Sequence, residues 1–263
     1  MIASSLVGVI LRVPFALMTA VLRSLWIWTA SAILVISWVP LLGLICLFDR
    51  NPLRIKTARW LRRLGRMIAR VNPWRLHISG LENIAAGQAY VIVSNHQSLA
   101  DIPLVAHLRV DAKWMGKAEL FRMPVVGWLF RMSREVPVER GDRRKAAQAL
   151  LRCASYLRQG LSLVFFPEGT RTRDGELLPF NDGPFQLAIR EGVPVLPLVV
   201  DGSGSALPRG TWIFRGTQDI YLKVMTPLSA SGYTVKQSAE LRERVRESMA
   251  EELHRMRASA LAH

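Results

Sequence analysis

His96 and Asp101 stand five residues apart in the segment Ser94-Asn95-His96-Gln97-Ser98-Leu99-Ala100-Asp101, directly after the apolar run Ala89–Val93. On an ideal helix, positions five apart are separated by about 140° around the axis, so the two would not share a face. They meet if His96 lies in the turn and Asp101 lies in the first turns of the helix that follows. The carboxylate then accepts from one ring nitrogen, fixes the tautomer and leaves the other nitrogen as a base. Such a dyad can take a proton from a hydroxyl. A lone histidine is more often structural, and Asn95 and Ser98 read first as capping residues. No Gly-x-Ser-x-Gly occurs, and neither Cys46 nor Cys153 is near a histidine in sequence. The base is therefore expected to activate a hydroxyl or water belonging to a substrate. His77, His96 and His107 are not at ligand spacing and there is no Cys-x-x-Cys, so no metal is expected. A His/Asp/Glu site assembled in three dimensions stays open.

A second chemical segment, Phe166-Pro-Glu-Gly-Thr-Arg-Thr-Arg-Asp-Gly175, also follows an apolar run. Gly169 lets backbone approach a ligand, and Arg171 and Arg173 offer forked donors to phosphate. Glu168 can hold a polyol hydroxyl or pair with Arg171; a charged turn closed by that ion pair is the plainer reading. Lys117, followed by Arg122, is either a second phosphate contact or a solvated charge.

The elements that must position these residues alternate. Strand-like runs at 89–95, 161–169, 193–202 and 219–227, with weaker ones at 110–116 and 135–141, are separated by helical patterns at 97–108, 122–132, 142–159 and 182–191. A closing amphipathic helix is expected over 236–257. This predicts an α/β fold, a mostly parallel central sheet flanked by helices, with an N-terminal membrane-anchoring helical segment. In such sheets, sites gather where strands end and helices begin. The two chemical segments and Val193-Pro-Val-Leu-Pro-Leu198 all fall at strand runs.

Half of the 263 residues are hydrophobic, and 35 Lys and Arg outweigh 20 Asp and Glu, a net charge of +15. Apolar and basic character together favour a membrane surface over nucleic acid. Residues 24–48 carry no charge, enough for a helix of roughly 37 Å against a hydrocarbon core of about 30 Å. Pro40 and Gly43 would kink it or turn it back, and 1–22 would form a second, interfacial helix. Residues 1–50 are thus expected to be an anchor, as one span or a re-entrant hairpin. The start lacks a basic region, so a cleaved signal peptide is not expected. Residues 51–72 are expected to be a basic amphipathic helix lying on an anionic leaflet and placing this side in the cytoplasm. Residues 73–263 are expected to form the catalytic domain. Two isolated cysteines imply no disulfide framework, which suits a reducing compartment.

Four ordered blocks resemble the glycerolipid acyltransferase superfamily, specifically bacterial 1-acyl-sn-glycerol-3-phosphate acyltransferases. Asn95, His96 and Asp101 match its Asn-His-x4-Asp. Lys117, Leu120, Pro124 and Gly127 match its second block. Phe166, Pro167, Glu168, Gly169, Thr170 and Arg171 match the third, and Val193, Pro194 and Pro197 the fourth. The likeness runs from about 78 to 227. It implies that His96, oriented by Asp101, deprotonates the sn-2 hydroxyl of lysophosphatidic acid, which attacks an acyl thioester without a covalent acyl-enzyme. Acyl-CoA or acyl-acyl carrier protein is the co-substrate, with no further cofactor. The implied partners are the phospholipid bilayer, a lysophospholipid and the thioester carrier, with no nucleic acid. The resemblance also implies that Glu168, Gly169 and Thr170 position the acceptor while Arg171 and Lys117 hold its phosphate. Asn95, Pro167, Pro194 and Pro197 shape the site. The expected location is the inner membrane. Relatives acting on lyso-ornithine lipid or other lysophospholipids share these blocks. From the residues alone, a metal-dependent phosphohydrolase and a non-catalytic basic adaptor remain the other classes.

Overall fold

The computed structural model describes residues 2–139 and 141–261, with side chains described outside 2–14, 143 and 260–261. Among these, seven strands form one sheet: β1 (Trp74–Ser79), β2 (Val91–Ser94), β3 (Ala112–Lys117), β4 (Val136–Val138), β5 (Ser162–Phe165), β6 (Val195–Asp201) and β7 (Gln218–Val224), in the order β1-β7-β6-β2-β5-β3-β4. Strand β2 is parallel to β5 and β6, and β3 is parallel to β4 and β5. The expected mostly parallel sheet is therefore present, flanked by helices. One edge departs from it. Strands β1 and β7 are parallel to each other, and β7 is antiparallel to β6. All residues of β2 and β5 are buried, whereas β1 alternates. A parallel strand covered on both faces needs a continuous apolar run, and an edge strand with one wet face needs alternation. The alternation in β1 carries Arg75 and His77, so its strand character was not foreseen.

Successive residues of the central strands serve two cores. Val91, Val93, Leu163 and Phe165 pack with α6 (Arg143–Arg158), α7 (Gly183–Glu191) and α9 (Ser238–Leu261). Ile92, Val164 and Leu196 pack with Leu104 and Val105 of the short helix α3 (Asp101–Val105). The helix expected over 97–108 is reduced to α3, because Asn95–Ala100 are taken up by the site described below. The pattern at 122–132 is likewise divided, into α4 (Ala118–Arg122) and α5 (Val126–Met132). Between them Val125 sits at φ 65 and ψ −69, and the Val126 amide donates to the Pro124 carbonyl at 2.7 Å. This is a γ-turn of the strained kind, on a β-branched residue. A Cβ on Gly127 would lie 2.3 Å from the Phe121 carbonyl oxygen, so only glycine allows the two helices to cross there.

The N-terminal helix α1 is continuous from Ile2 to Phe48. The separate helix expected over 1–22 and the turn expected at Pro40 and Gly43 do not occur. Pro40 is exposed, and its missing amide leaves only one carbonyl of the preceding turn to solvent. Ser24, Ile27, Trp38 and Leu42 are buried at helical spacing, while Leu22, Leu25, Trp26, Ile33, Ile36 and Leu44 are exposed on the rest of the surface. The Phe214 amide donates to Ser24 Oγ at 2.8 Å, and Trp38 Nε1 donates to the Trp60 carbonyl at 3.1 Å.

Helix α2 (Ile55–Val71) packs Leu64 between Trp38, Leu42 and Leu129. Its basic residues are divided. Arg62 is buried and donates to the Ala112 carbonyl and to Asp111 at 2.8 and 2.9 Å, and Arg59 forks onto Asp111 at 2.8 and 2.6 Å. Arg66 reaches the Ala106 carbonyl. Lys56, Arg63 and Arg70 remain exposed. Helix α2 is packed between α1 and α3, and Arg62 and Arg66 on its inner side reach acceptors of the domain.

Candidate active site

The site begins where β2 ends. Asn95 bridges to β6 in both directions: its Nδ2 donates to the Val200 carbonyl at 2.8 Å, and the Val200 amide donates to its Oδ1 at 2.7 Å. It is therefore a strand tie, not the helix cap its type suggested. With β2 held there, His96 starts the turn. Its Nδ1 lies 2.6 Å from Asp101 Oδ2. The same carboxylate oxygen accepts from the Gln97 and Ser98 amides at 2.8 and 2.9 Å. Three donors converge on one oxygen of a fully buried side chain. With Nδ1–H donated to Asp101, the lone pair sits on Nε2. The imidazole stacks on Phe166, with centroids 4.1 Å apart and planes at 20°. Ser98 Oγ accepts from the Ala100 amide and donates to the Leu207 carbonyl at 2.7 Å, closing the turn against a second loop.

Glu168 makes two contacts within the chain. Its Oε1 accepts from the His96 amide at 2.9 Å and its Oε2 from the Leu178 amide at 3.3 Å. The side chain is buried, and each oxygen already accepts one backbone amide. The carboxylate thereby clamps the loop after β5 onto the histidine. The Thr172 amide completes the clamp by donating to the His96 carbonyl at 2.8 Å. Burial pushes the Glu168 carboxyl from 4.5 up to about 7, against the two amides, which favour the anion. Because the folded state binds this proton more tightly than the unfolded chain, the associated stability is complete below about pH 4.5 and is lost as pH rises to about 7. That amounts to about 3 kcal/mol. Glu168→Gln, which does not titrate, should remove this slope in denaturation series in detergent. It should also lower kcat roughly tenfold to a hundredfold, with acceptor KM changed less than about twofold. A rise in KM alone would return Glu168 to substrate contact.

The remaining candidates are distributed unevenly. Gly169 has φ +69, and its missing Cβ faces Asn181, whose Nδ2 donates to the Pro167 carbonyl at 2.6 Å. Thr170 is exposed. Lys117 is exposed and ion-paired with Glu119 at 3.2 Å. Arg171 is half-buried, and its side chain makes no hydrogen bond or ion pair among the described residues. Pro194 precedes β6 and Pro197 lies within it. The Pro194 carbonyl accepts from the Val91 amide, and Pro197 lies opposite Val93 in the sheet.

His96 opens onto a cavity of about 1000 Å³. Its rim includes Lys117, Gly169 and Asn181, and its walls are apolar. Trp28 and Val35 of α1 and Leu61 and Ile68 of α2 line it, so the expected anchor is also part of the site. The spacing of Leu61, Leu64 and Ile68 marks an inward apolar face, but periodicity does not say that the face borders a cavity. Phe166 was legible only as part of its block.

An apolar cavity thus lies beside a His–Asp dyad at the end of a parallel strand. Residues 75–201 match the family model described as Acyltransferase, and this stretch is a domain of that family. The chloroplastic 1-acyl-sn-glycerol-3-phosphate acyltransferase of Brassica napus is 35% identical over 206 residues, which cover 78% of this chain and 59% of that protein. The enzyme of the same name from Haemophilus influenzae is 30% identical over 146 residues, 55% of this chain and 60% of the relative. The chain thus spans about 60% of the length of these relatives. Among solved structures, the 1-acyl-sn-glycerophosphate (LPA) acyltransferase PlsC of Thermotoga maritima superposes with a TM-score of 0.80 at 26% identity, covering 92% of this chain and 98% of that one.

Proposed function

We propose that this chain transfers a fatty acyl group from a thioester, acyl-CoA or acyl-acyl carrier protein, to the sn-2 hydroxyl of lysophosphatidic acid at a membrane surface. The observation that carries the reading is the pairing of His96 Nδ1 with buried Asp101 at 2.6 Å, which leaves Nε2 as the base beside an apolar cavity. Nε2 takes the hydroxyl proton as the acceptor oxygen bonds to the thioester carbonyl carbon. The tetrahedral intermediate then collapses, the carbon–sulfur bond breaks, and the proton passes to the leaving thiolate. Asp101 offsets the positive charge that His96 holds between these steps. The cavity has room for an acyl chain in apolar surroundings.

Helix α1 suits a monotopic seat. It is fastened to the catalytic domain near Ser24 and, through Leu42 against Leu129, near its other end. Its exposed apolar face therefore lies along one leaflet. Crossing the bilayer would drag part of the domain with it.

Purified protein in vesicles, given lysophosphatidic acid and a labelled thioester in the presence of a chelator, is expected to form phosphatidic acid. Release of phosphate instead would assign a phosphohydrolase. No product from either donor would exclude this acceptor. Arg171→Ala is expected to raise the KM for lysophosphatidic acid about tenfold with kcat little changed, the pattern of lost uniform binding. An unchanged KM would remove Arg171 from phosphate recognition.

A further inference from the structure

We infer that the loop 207–217, between α8 (Ser203–Ala206) and β7, is a second membrane-contacting element that seats on an anionic leaflet beside α1 and forms the wall past which the acceptor reaches His96. The inference rests on the membrane seat and acyl transfer proposed above. It concerns a segment outside the matched family region and outside the four blocks.

The loop is built against α1 at several points. Arg23 Nη2 donates to the Phe214 carbonyl at 3.0 Å, the Phe214 amide donates to Ser24 Oγ at 2.8 Å, and Trp28 Nε1 donates to the Trp212 carbonyl at 2.8 Å. Phe214 is buried between Trp28 and Trp74, at centroid distances of 5.4 and 6.2 Å. The Arg215 amide closes the loop onto the Ala206 carbonyl. A loop held in this way presents fixed side chains rather than a mobile tip.

What it presents has the chemistry of a lipid interface. Trp212 is 46% exposed and Trp28 39%, next to the exposed Leu22, Leu25 and Trp26 of α1. Arg209 and Arg215 are exposed on either side, and residues 207–217 contain no acidic residue. Indoles favour the headgroup level, where an apolar ring and a polar N–H are both satisfied, and guanidinium groups favour anionic headgroups. A water-facing loop would gain nothing from an exposed tryptophan continuous with an apolar helix face.

The inner side of the same loop meets the site. Leu207 and Phe214 line the cavity, Ser98 of the histidine turn donates to the Leu207 carbonyl at 2.7 Å, and Arg209 donates to the Arg171 carbonyl. One short segment therefore touches α1, the His96 turn and the loop after β5. A lysolipid moving from leaflet to cavity would pass along Leu207 and Phe214, while Trp212 faces outward and is not part of the cavity lining.

The test uses the full chain with Cys46→Ala. Cys153 is buried and its thiol is pushed up to about 12, so it stays unlabelled. A bimane probe is placed by Trp212→Cys, by Leu25→Cys on α1, or by Leu151→Cys on the exposed side of α6. Vesicles contain phosphatidylcholine, phosphatidylglycerol and a lipid spin-labelled near the headgroup. Quenching is expected at positions 212 and 25 but not at 151. A probe at 212 that stays bright while the one at 25 is quenched would overturn the inference, and so would the absence of quenching at both.

A kinetic arm separates contact from scaffold. Trp212→Asp should raise the apparent KM for vesicle-borne lysophosphatidic acid about tenfold, as expected for loss of an interfacial anchor. It should leave kcat and KM unchanged for a short-chain analogue held below its micellar concentration. Equal losses on both acceptors would mean that Trp212 only holds the fold. A wild type inactive on every acceptor would defeat the acyl-transfer reading, while the quenching result would still decide where the loop sits.

Discussion

His96→Ala is expected to lower kcat by about 10³-fold, close to 4 kcal/mol of lost transition-state stabilisation, without unfolding the protein. The size follows from what the ring does. It is the group beside the cavity with a free basic nitrogen whose orientation is fixed by a buried carboxylate, and hydroxyl attack on a thioester has no other base within the turn. The fold should survive because the turn is held by backbone: Asp101 keeps the Gln97 and Ser98 amides, and Glu168 keeps the amide of residue 96. The substitution removes a ring stacked on Phe166 and leaves a slot of imidazole shape between Phe166 and Asp101. Added imidazole should therefore restore part of the turnover in His96→Ala and none in wild type. Single-turnover assays with labelled thioester read both effects. Undiminished kcat in the variant would discard the base assignment.

Asp101→Asn should cost nearly as much, about 10²- to 10³-fold in kcat, although the change is isosteric. Asp101 Oδ2 accepts from three donors, while Oδ1 is buried without a hydrogen-bond partner among the described residues. An asparagine has two ways to fit, and each is poor. With its oxygen in the Oδ2 position, its NH2 becomes a buried, unpartnered donor. With the amide reversed, NH2 faces two backbone N–H groups and the imidazole, and the ring must take the tautomer that protonates Nε2. In neither case does a negative charge offset the imidazolium formed during transfer. The variant should show reduced kcat with acceptor KM little changed, plus a lower melting temperature than His96→Ala, since only the former disturbs the two turn amides. A larger loss of stability in His96→Ala would mean that the ring, not the carboxylate, organises the turn.

The contrast between these substitutions and Glu168→Gln describes how the site is layered. Asp101 holds the ring, Glu168 holds the backbone of the same residue, and Asn95 holds the strand that delivers it. Only His96 is expected to exchange a proton with substrate. The other three act through it, so their effects should not add. Arg171 belongs to a different group of contacts, with its side chain outside this network, and its effect should fall on binding.

Some of this was legible in the residues themselves. A histidine followed by an aspartate at five places can be paired only through a turn, and the turn was required by a strand ending at Ser94. The apolar runs at 91–94, 162–165 and 195–200 had to be buried strands, since a strand covered on both faces admits nothing else. The inward face of α2 was visible in Leu61, Leu64 and Ile68. These are local constraints, set by spacing and by the chemistry of neighbouring residues.

Other features depended on contacts between distant parts of the chain. Spacing could not show that Glu168 would meet the amide of residue 96, 72 positions away. Nor could it show that Arg62 would turn inward and that Arg59 would join it on Asp111, at the surface, or that β7 would enter the sheet antiparallel and carry β1 with it. The composition of 24–48 is equally that of a spanning helix and of one lying along a domain. What composition could not show is the hydroxyl at Ser24 meeting the Phe214 amide, 190 residues on. Hydrogen bonds and burial of this kind are settled by which surfaces meet once the sheet is assembled. The dyad is thus a property of eight consecutive residues, whereas the cavity it serves, walled by α1, α2 and the loop 207–217, exists only in the folded chain.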